Sequence, residues 1–202
     1  MVRHSCYGFY FNAFMVNANL FVVTGGPGCG KTTVLLELQR HGFPFASEVA
    51  RQIIQEQVVS GGKALPWQDR ALYTRLMLKR SIESYEQHTP AVATTFTDRG
   101  IPDTLTYARL IGLADDFAIR QACEEYRYAP LVFVAPPWEV IYKTDNERKQ
   151  DFAEAVRTHE LNAGVYRECG YELVELPLVS VAARADFIVC QLQLVRDRRT
   201  SR

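Results

Sequence analysis

Apolar positions along this chain follow two rhythms. Leu20–Val23 and Leu131–Ala135 are short unbroken runs of aliphatic and aromatic residues, which reads as strands buried on both faces. Shorter runs at Phe43–Ser47, Val92–Thr97 and the "ELVELP" segment beginning at Glu172 read as three further strands. Between them the apolar residues recur at helical spacing. Helices are expected at Thr33–Arg40, from Val49, from Trp67 to Gln87 with Leu72, Leu76 and Ile82 on one side, and at Pro102–Ile111. Others are expected at Asp116–Tyr128, Phe152–Glu168 and Ser180–Leu192. Pro102 suits a first helical turn, and Gly42 stands where a helix stops. Strands separated by helices predict an α/β fold with a doubly wound, five-stranded parallel sheet. Ligands of such sheets sit at the carboxyl ends of the strands.

The end of the first strand breaks both rhythms. "VVTGGPGCGKTTVLLELQRHG" (Val22–Gly42) fits G-x-x-x-x-G-K-[ST], with Gly25, Gly30, Lys31 and Thr32 in the fixed places. Phosphate oxygens need donors at close range, and a Cβ would hold the backbone away. The stretch Gly25, Gly26, Pro27, Gly28, Cys29, Gly30 can therefore turn successive N–H groups inward, and the helix behind it adds its positive dipole end. Lys31 is placed to reach the β and γ phosphates and the Thr32 hydroxyl to ligate Mg²⁺. Thr33 either donates to the α-phosphate or continues the helix. A glycine turn that binds nothing is the alternative, and four matched positions in a strand–loop–helix context argue against it.

The carboxyl ends of the other strands supply candidate chemistry. "TFTDRG" places Asp98 and Arg99 at the sheet rim. Asp98 there can hold Mg²⁺ opposite Thr32, or else cap the next helix. A mechanical ATPase would follow this aspartate with a glutamate that polarises water. Arg99 suits charge stabilisation or transfer to an acceptor better. Asp103 reads as the helix-entry acid, with a place in the acceptor pocket as its alternative. "FASEVAR" puts Glu48 at the tip of the second strand, where a carboxylate can accept the proton of an acceptor hydroxyl. Its alternative is a first-turn acid complementing the helix dipole, with Arg51 as partner. The polar stretch "APPWEVIYKTDNERKQDFAEAV" reads as a short lid in which Arg148 and Lys149 close over phosphates, or as a solvated helix start. The guanine-reading pattern [NT]-K-x-D is missed by "YKTD", so GTP specificity is not supported.

Composition bounds these readings. With 202 residues, 48% of them hydrophobic and 23% charged, the chain can bury a core without disulfides. The 23 Lys+Arg balance the 23 Asp+Glu, giving no signal for DNA or an anionic surface, and no apolar run reaches a membrane span. Cys6, Cys29, Cys123, Cys169 and Cys190 lack C-x-x-C spacing and read as reduced thiols of a cytoplasmic protein. Cys29 is either an ordinary small residue or oxidation-sensitive. Residues 1–18 read as an N-terminal extension, either an arm or the product of a start upstream of Met15. Residues 19–194 read as one domain and 195–202 as a basic tail.

Taken together, "TGGPGCGKTT", "SEVAR", "FTDRGIPDTLTYARL", "PPWEVIYKTDNERKQ" and "YELVELPLVSVAARADFI" resemble the bacterial family of predicted ATPases and kinases called AAA domain type 28. That family includes the ribosylnicotinamide-kinase-like domains of NAD-biosynthesis regulators. The resemblance spans roughly Asn19 to Leu192. It implies a P-loop, nucleoside/nucleotide-kinase-like fold with strand order 2-3-1-4-5, binding ATP and Mg²⁺. It would put Gly25–Thr33 on the phosphates, Asp98 on the metal and Arg148 in the lid. Two functions are then open. One is a kinase moving the γ-phosphate of ATP to a small-molecule acceptor, with Glu48 as base. The other is a nucleotide-dependent switch or slow ATPase that docks a protein partner on the Trp67–Gln87 helix.

Overall fold

The computed structural model describes residues 15–113, 117–141 and 152–200. In chain order these form β1 (Met15–Val16), β2 (Leu20–Gly25), α1 (Lys31–Arg40), β3 (Phe45–Ala46), α2 (Val49–Ser60), α3 (Arg70–Gln87) and β4 (Thr95–Asp98). There follow α4 (Ile101–Leu110), α5 (Phe117–Glu125), β5 (Tyr126–Arg127), β6 (Leu131–Ala135), a single 3₁₀ turn (Glu139–Ile141), α6 (Phe152–Glu168), β7 (Glu172–Glu175) and α7 (Val181–Thr200). Five strands make one parallel sheet in the order β3-β4-β2-β6-β7. Numbered among these five alone, that is 2-3-1-4-5. A two-residue parallel pair, β1 with β5, stands beside it.

The two central strands show why their sequence runs are apolar without a break. Leu20 and Val22 of β2 and Val132 and Val134 of β6 face one side, packing with Ile101, Leu105, Ile119, Val165 and Tyr166 from α4, α5 and α6. Phe21 and Val23, with Leu131, Phe133 and Ala135, face the other side against Val34, Leu35 and Leu38 of α1 and Ala185 and Ile188 of α7. Side chains alternate faces along a strand, so a strand covered by helices on both faces must be apolar at every position.

Three elements depart from the sequence pattern. The helix expected to reach Tyr128 stops at Glu125, because Tyr126 and Arg127 pair with Met15 and Val16. Its partner strand lies more than a hundred residues upstream, which local periodicity cannot register. Helix α3 buries Tyr73, Thr74, Met77 and Tyr85, while Leu72 is on the exposed side at 38%. Leu76 and Ile82 pack only at the edges of the core. Helix α7 continues past Leu192 to Thr200, so residues 195–200 are helix rather than tail. The Arg196 guanidinium donates to the Thr94 hydroxyl (2.9 Å), docking that extra length on the strand β4 side.

Candidate active site

The loop between β2 and α1 has the backbone its glycines were expected to permit. Gly25, Gly28 and Gly30 have φ of 134°, 73° and 81°, values that residues with a Cβ rarely adopt. At Gly25 a Cβ would also run into the carbonyl of Ala135 on β6, so both conformation and packing demand glycine there. Lys31 is buried, its ammonium donating to the carbonyls of Gly25 (3.2 Å) and Gly26 (2.8 Å). Thr33 donates to Gly30 O at 2.7 Å, the helix-continuing choice. The Cys29 thiol is buried against Gly26 O (2.9 Å), as an ordinary small core residue would be.

Asp98 ends β4 facing this loop. One carboxylate oxygen accepts from the Thr32 hydroxyl (3.3 Å), while the other is buried with no partner among the described residues. Burial raises its pKa above the usual carboxylate range, against the opposing pull of the Lys31 ammonium. An orphaned buried carboxylate oxygen beside a threonine hydroxyl is an oxygen donor set suited to Mg²⁺. Asp98 does not cap the next helix. Gly100 occupies that position, and its N–H donates to Asp103 Oδ2 at 2.9 Å.

Arg99 joins what the sequence separates. It is a non-glycine residue at φ 72°, a backbone strain of the kind found at functional sites. Its guanidinium donates to Glu48 Oε1 (2.7 Å), to the loop carbonyl of Gly25 (3.0 Å) and to Asp103 Oδ1 (3.0 Å). Burial would pull its pKa down, but the Glu48 and Asp103 carboxylates outweigh that and hold it well above the usual value. Glu48 is the residue before α2, yet its side chain makes no capping hydrogen bond. The ion pair with Arg99 fixes its direction instead. Glu48 thus stands against the phosphate loop, and with Pro27 of that loop it lines one cavity of about 160 Å³.

Asp103 is the hub the sequence only half disclosed. Besides Arg99 and Gly100 it accepts from Thr24 Oγ1 (2.7 Å), Asn162 Nδ2 (3.2 Å) and the Tyr166 hydroxyl (2.6 Å). It is therefore both the helix-entry acid and part of the cavity wall. Asn162, a polar residue on the buried face of α6 beside Tyr166, was the signal that could have found this network. Arg184, from the last helix, is fully buried and donates to Cys29 O (3.0 Å) and Pro177 O (3.0 Å), with Trp138 5.5 Å from its guanidinium carbon. It braces the phosphate loop from outside the sheet, and its isolated position in "AARADF" carried no motif. Arg148 and Lys149 lie outside the described residues, as does Cys6. The long helix α3 buries Tyr73, Thr74, Met77 and Tyr85, and Trp67 just before it is 62% exposed.

A phosphate-type loop at the head of a 2-3-1-4-5 parallel sheet, with Asp98 and Glu48 at neighbouring strand ends, defines a P-loop protein of nucleoside- and nucleotide-kinase-like fold. Residues 20–184 match the model of the AAA domain family, type 28, and the chain belongs to that family. Solved structures share the fold. The NadR protein in complex with NR superposes with a TM-score of 0.60 at 23% identity, over 79% of this chain and 44% of that one. This chain thus spans less than half of that protein's length. Shikimate kinase from Acinetobacter baumannii in complex with shikimate gives 0.55 at 18% identity (88% and 94% covered). Deoxyadenosine kinase from M. mycoides with bound dATP gives 0.56 at 12% (86% and 99%). No curated protein matches the sequence. Among the described residues no helix is long and apolar enough to cross a membrane.

Proposed function

We propose that this protein transfers the γ-phosphate of ATP to a hydroxyl of a small-molecule acceptor. The observation that carries the reading is that the phosphate loop and the Glu48 carboxylate wall the same cavity. The loop amides and the amino end of α1 suit the donor phosphates, with Lys31 moving from its loop carbonyls onto the β and γ oxygens. Thr32 and Asp98 would hold Mg²⁺, which supplies positive charge against the triphosphate. Glu48, aimed by Arg99, takes the acceptor's hydroxyl proton as that oxygen bonds to the γ-phosphorus and ADP departs. Arg99 lends its charge through Glu48, Asp103 and Gly25 O. Arg148, and Lys149 beside it, are assigned to phosphate charge from the sequence alone. The small hydroxylated or nucleotide ligands named with the similar structures support such an acceptor. The free thiols of Cys29, Cys123, Cys169 and Cys190 suit the reducing cytoplasm.

Glu48→Gln tests it, since glutamine can still accept from Arg99 but cannot take a proton. Acceptor-dependent transfer should fall about 10²–10⁴-fold with Mg-ATP affinity unchanged. Unchanged transfer with a lowered Tm would make Glu48 a structural residue. The second reading, a nucleotide switch with a protein partner, draws on exposed Trp67 and Val59 (62% and 90%) flanking the α2–α3 connection. It requires ATP turnover that no acceptor stimulates.

A further inference from the structure

The sheet end opposite the phosphate loop carries two cysteines side by side. Cys123 is buried in the last turn of α5. Cys169 directly follows α6, where its N–H donates to Val165 O (2.9 Å) and Gly170, at φ 79°, turns the chain toward β7. The Cys123 thiol donates a hydrogen bond to Cys169 Sγ. Their backbones are held together as well. Arg127 Nη1 donates to both carbonyls, Cys169 O at 2.7 Å and Cys123 O at 3.3 Å. That guanidinium is itself seated over Tyr171, its carbon 4.2 Å from the ring centroid. Both cysteines line one cavity of about 150 Å³, together with Arg109, Arg127 and Glu168. Cys169 is half-buried and Cys123 buried, so a solute entering the cavity meets Cys169 first.

The two thiols have opposite chemistry. The hydrogen bond it donates, and then burial, raise the Cys123 thiol above its usual range. The same hydrogen bond lowers Cys169, against burial, and the Arg127 guanidinium adds to the lowering. A cysteine that favours thiolate, open to a cavity and next to a second thiol, is the arrangement of an oxidisable pair. We infer that Cys123 and Cys169 are a modification site for small peroxides, which join them in a reversible disulfide tying α5 to the end of α6. The Cys169 thiolate attacks one peroxide oxygen. The O–O bond breaks, hydroxide leaves and takes up a proton as water, and the sulfur is oxidised to a sulfenic acid. Cys123 then attacks that sulfur. The S–S bond forms, the S–O bond breaks, and the Cys123 proton leaves with the hydroxide as a second water. Two thiols and one hydrogen peroxide thus give one disulfide and two waters. The pair lies apart from the Glu48 cavity, so its test needs no turnover.

The test treats the full chain, reduced and then freed of reductant, with hydrogen peroxide, followed by alkylation and tryptic digestion without reduction. The expected product joins peptides 121–127 and 168–184, two hydrogens lighter than the pair, and dithiothreitol separates them again. Cys123→Ala should leave oxidised Cys169 to proceed to sulfinic acid, or to a mixed disulfide when glutathione is added. Cys169→Ala should slow the oxidation of Cys123 by at least about 10-fold, since the buried thiol then has no thiolate neighbour to react first. The cross-linked wild type should melt roughly 4–16 °C above the reduced protein, because the bond restricts the unfolded chain between the two positions. Sulfinic acid on wild-type Cys169 with Cys123 still open to alkylation would overturn the inference. Both thiols remaining open at a peroxide dose that oxidises the exposed Cys190 would overturn it too. So would a disulfide from either one to another cysteine. A cross-linked protein that melts below the reduced one would show a native backbone that resists the bond, and would overturn the assignment of this pair as a site for it.

Discussion

At the scale of single residues, Asp98 separates stability from function. Its carboxyl is raised in the folded protein, chiefly by burial, from an ordinary value of 3.8. The folded state therefore holds that proton more tightly than the unfolded chain. The resulting contribution to stability is complete below pH 3.8 and is lost as pH rises through the folded value. Asp98→Asn removes the buried charge at little cost in shape. It should melt above the wild type at pH 7, with the gap closing toward pH 4, while transfer falls about 10²–10³-fold from lost charge stabilisation at the phosphates. A lower Tm at pH 7 would contradict the desolvation account. Lys31→Ala should abolish turnover and weaken Mg-ATP binding, and wild-type turnover by that variant would remove the loop as the active site. The loop, Lys31, Thr32 and Asp98 were legible in the sequence because each is fixed by its immediate neighbours in a strand–loop–helix unit. The Glu48–Arg99 pair spans 51 positions, so it became visible only when β3 and β4 were laid side by side.

At the scale of elements, the buried network around Asp103 ties β2, α4 and α6 together through Thr24, Asn162 and Tyr166. Asp103→Ala leaves the Arg99 guanidinium short of a counter-charge and Tyr166 without its acceptor. It should destabilise the fold by about 3–5 kcal/mol, read as a shift in the urea midpoint. Tyr166→Phe removes one hydrogen bond to a charged group and should cost about 1.5–3 kcal/mol. Equal effects of the two variants would mean that Arg99 does not depend on Asp103. Most elements were predicted at the right place because β2, β6, α1 and α4 carry strong local periodicity. The failures were β5, whose partner is remote, the length of α7, and the buried face of α3. There Tyr73 and Met77 pack with Ile53 of α2, a pairing that only the tertiary arrangement sets.

At the scale of the whole molecule, nucleotide binding and folding are linked, since the loop that would hold phosphate is braced from both sides of the sheet. Arg184 of α7 holds the Cys29 carbonyl, and Arg99 of the β4–α4 junction holds that of Gly25. Mg-ATP at about 100 times its Kd should stabilise the protein by about 2.7 kcal/mol. For a domain of this length that raises Tm by roughly 5–11 °C. GTP should give a smaller shift at equal concentration, and Lys31→Ala should abolish both. The central claim, phosphoryl transfer to a small hydroxyl acceptor, is tested most directly by following γ-labelled ATP with the purified protein, Mg²⁺ and a panel of ribonucleosides and hydroxylated ring compounds. The account predicts that label appears on one class of acceptor, in proportion to ADP formed and dependent on Glu48. Label appearing only as inorganic phosphate, at a rate no acceptor changes, would contradict it.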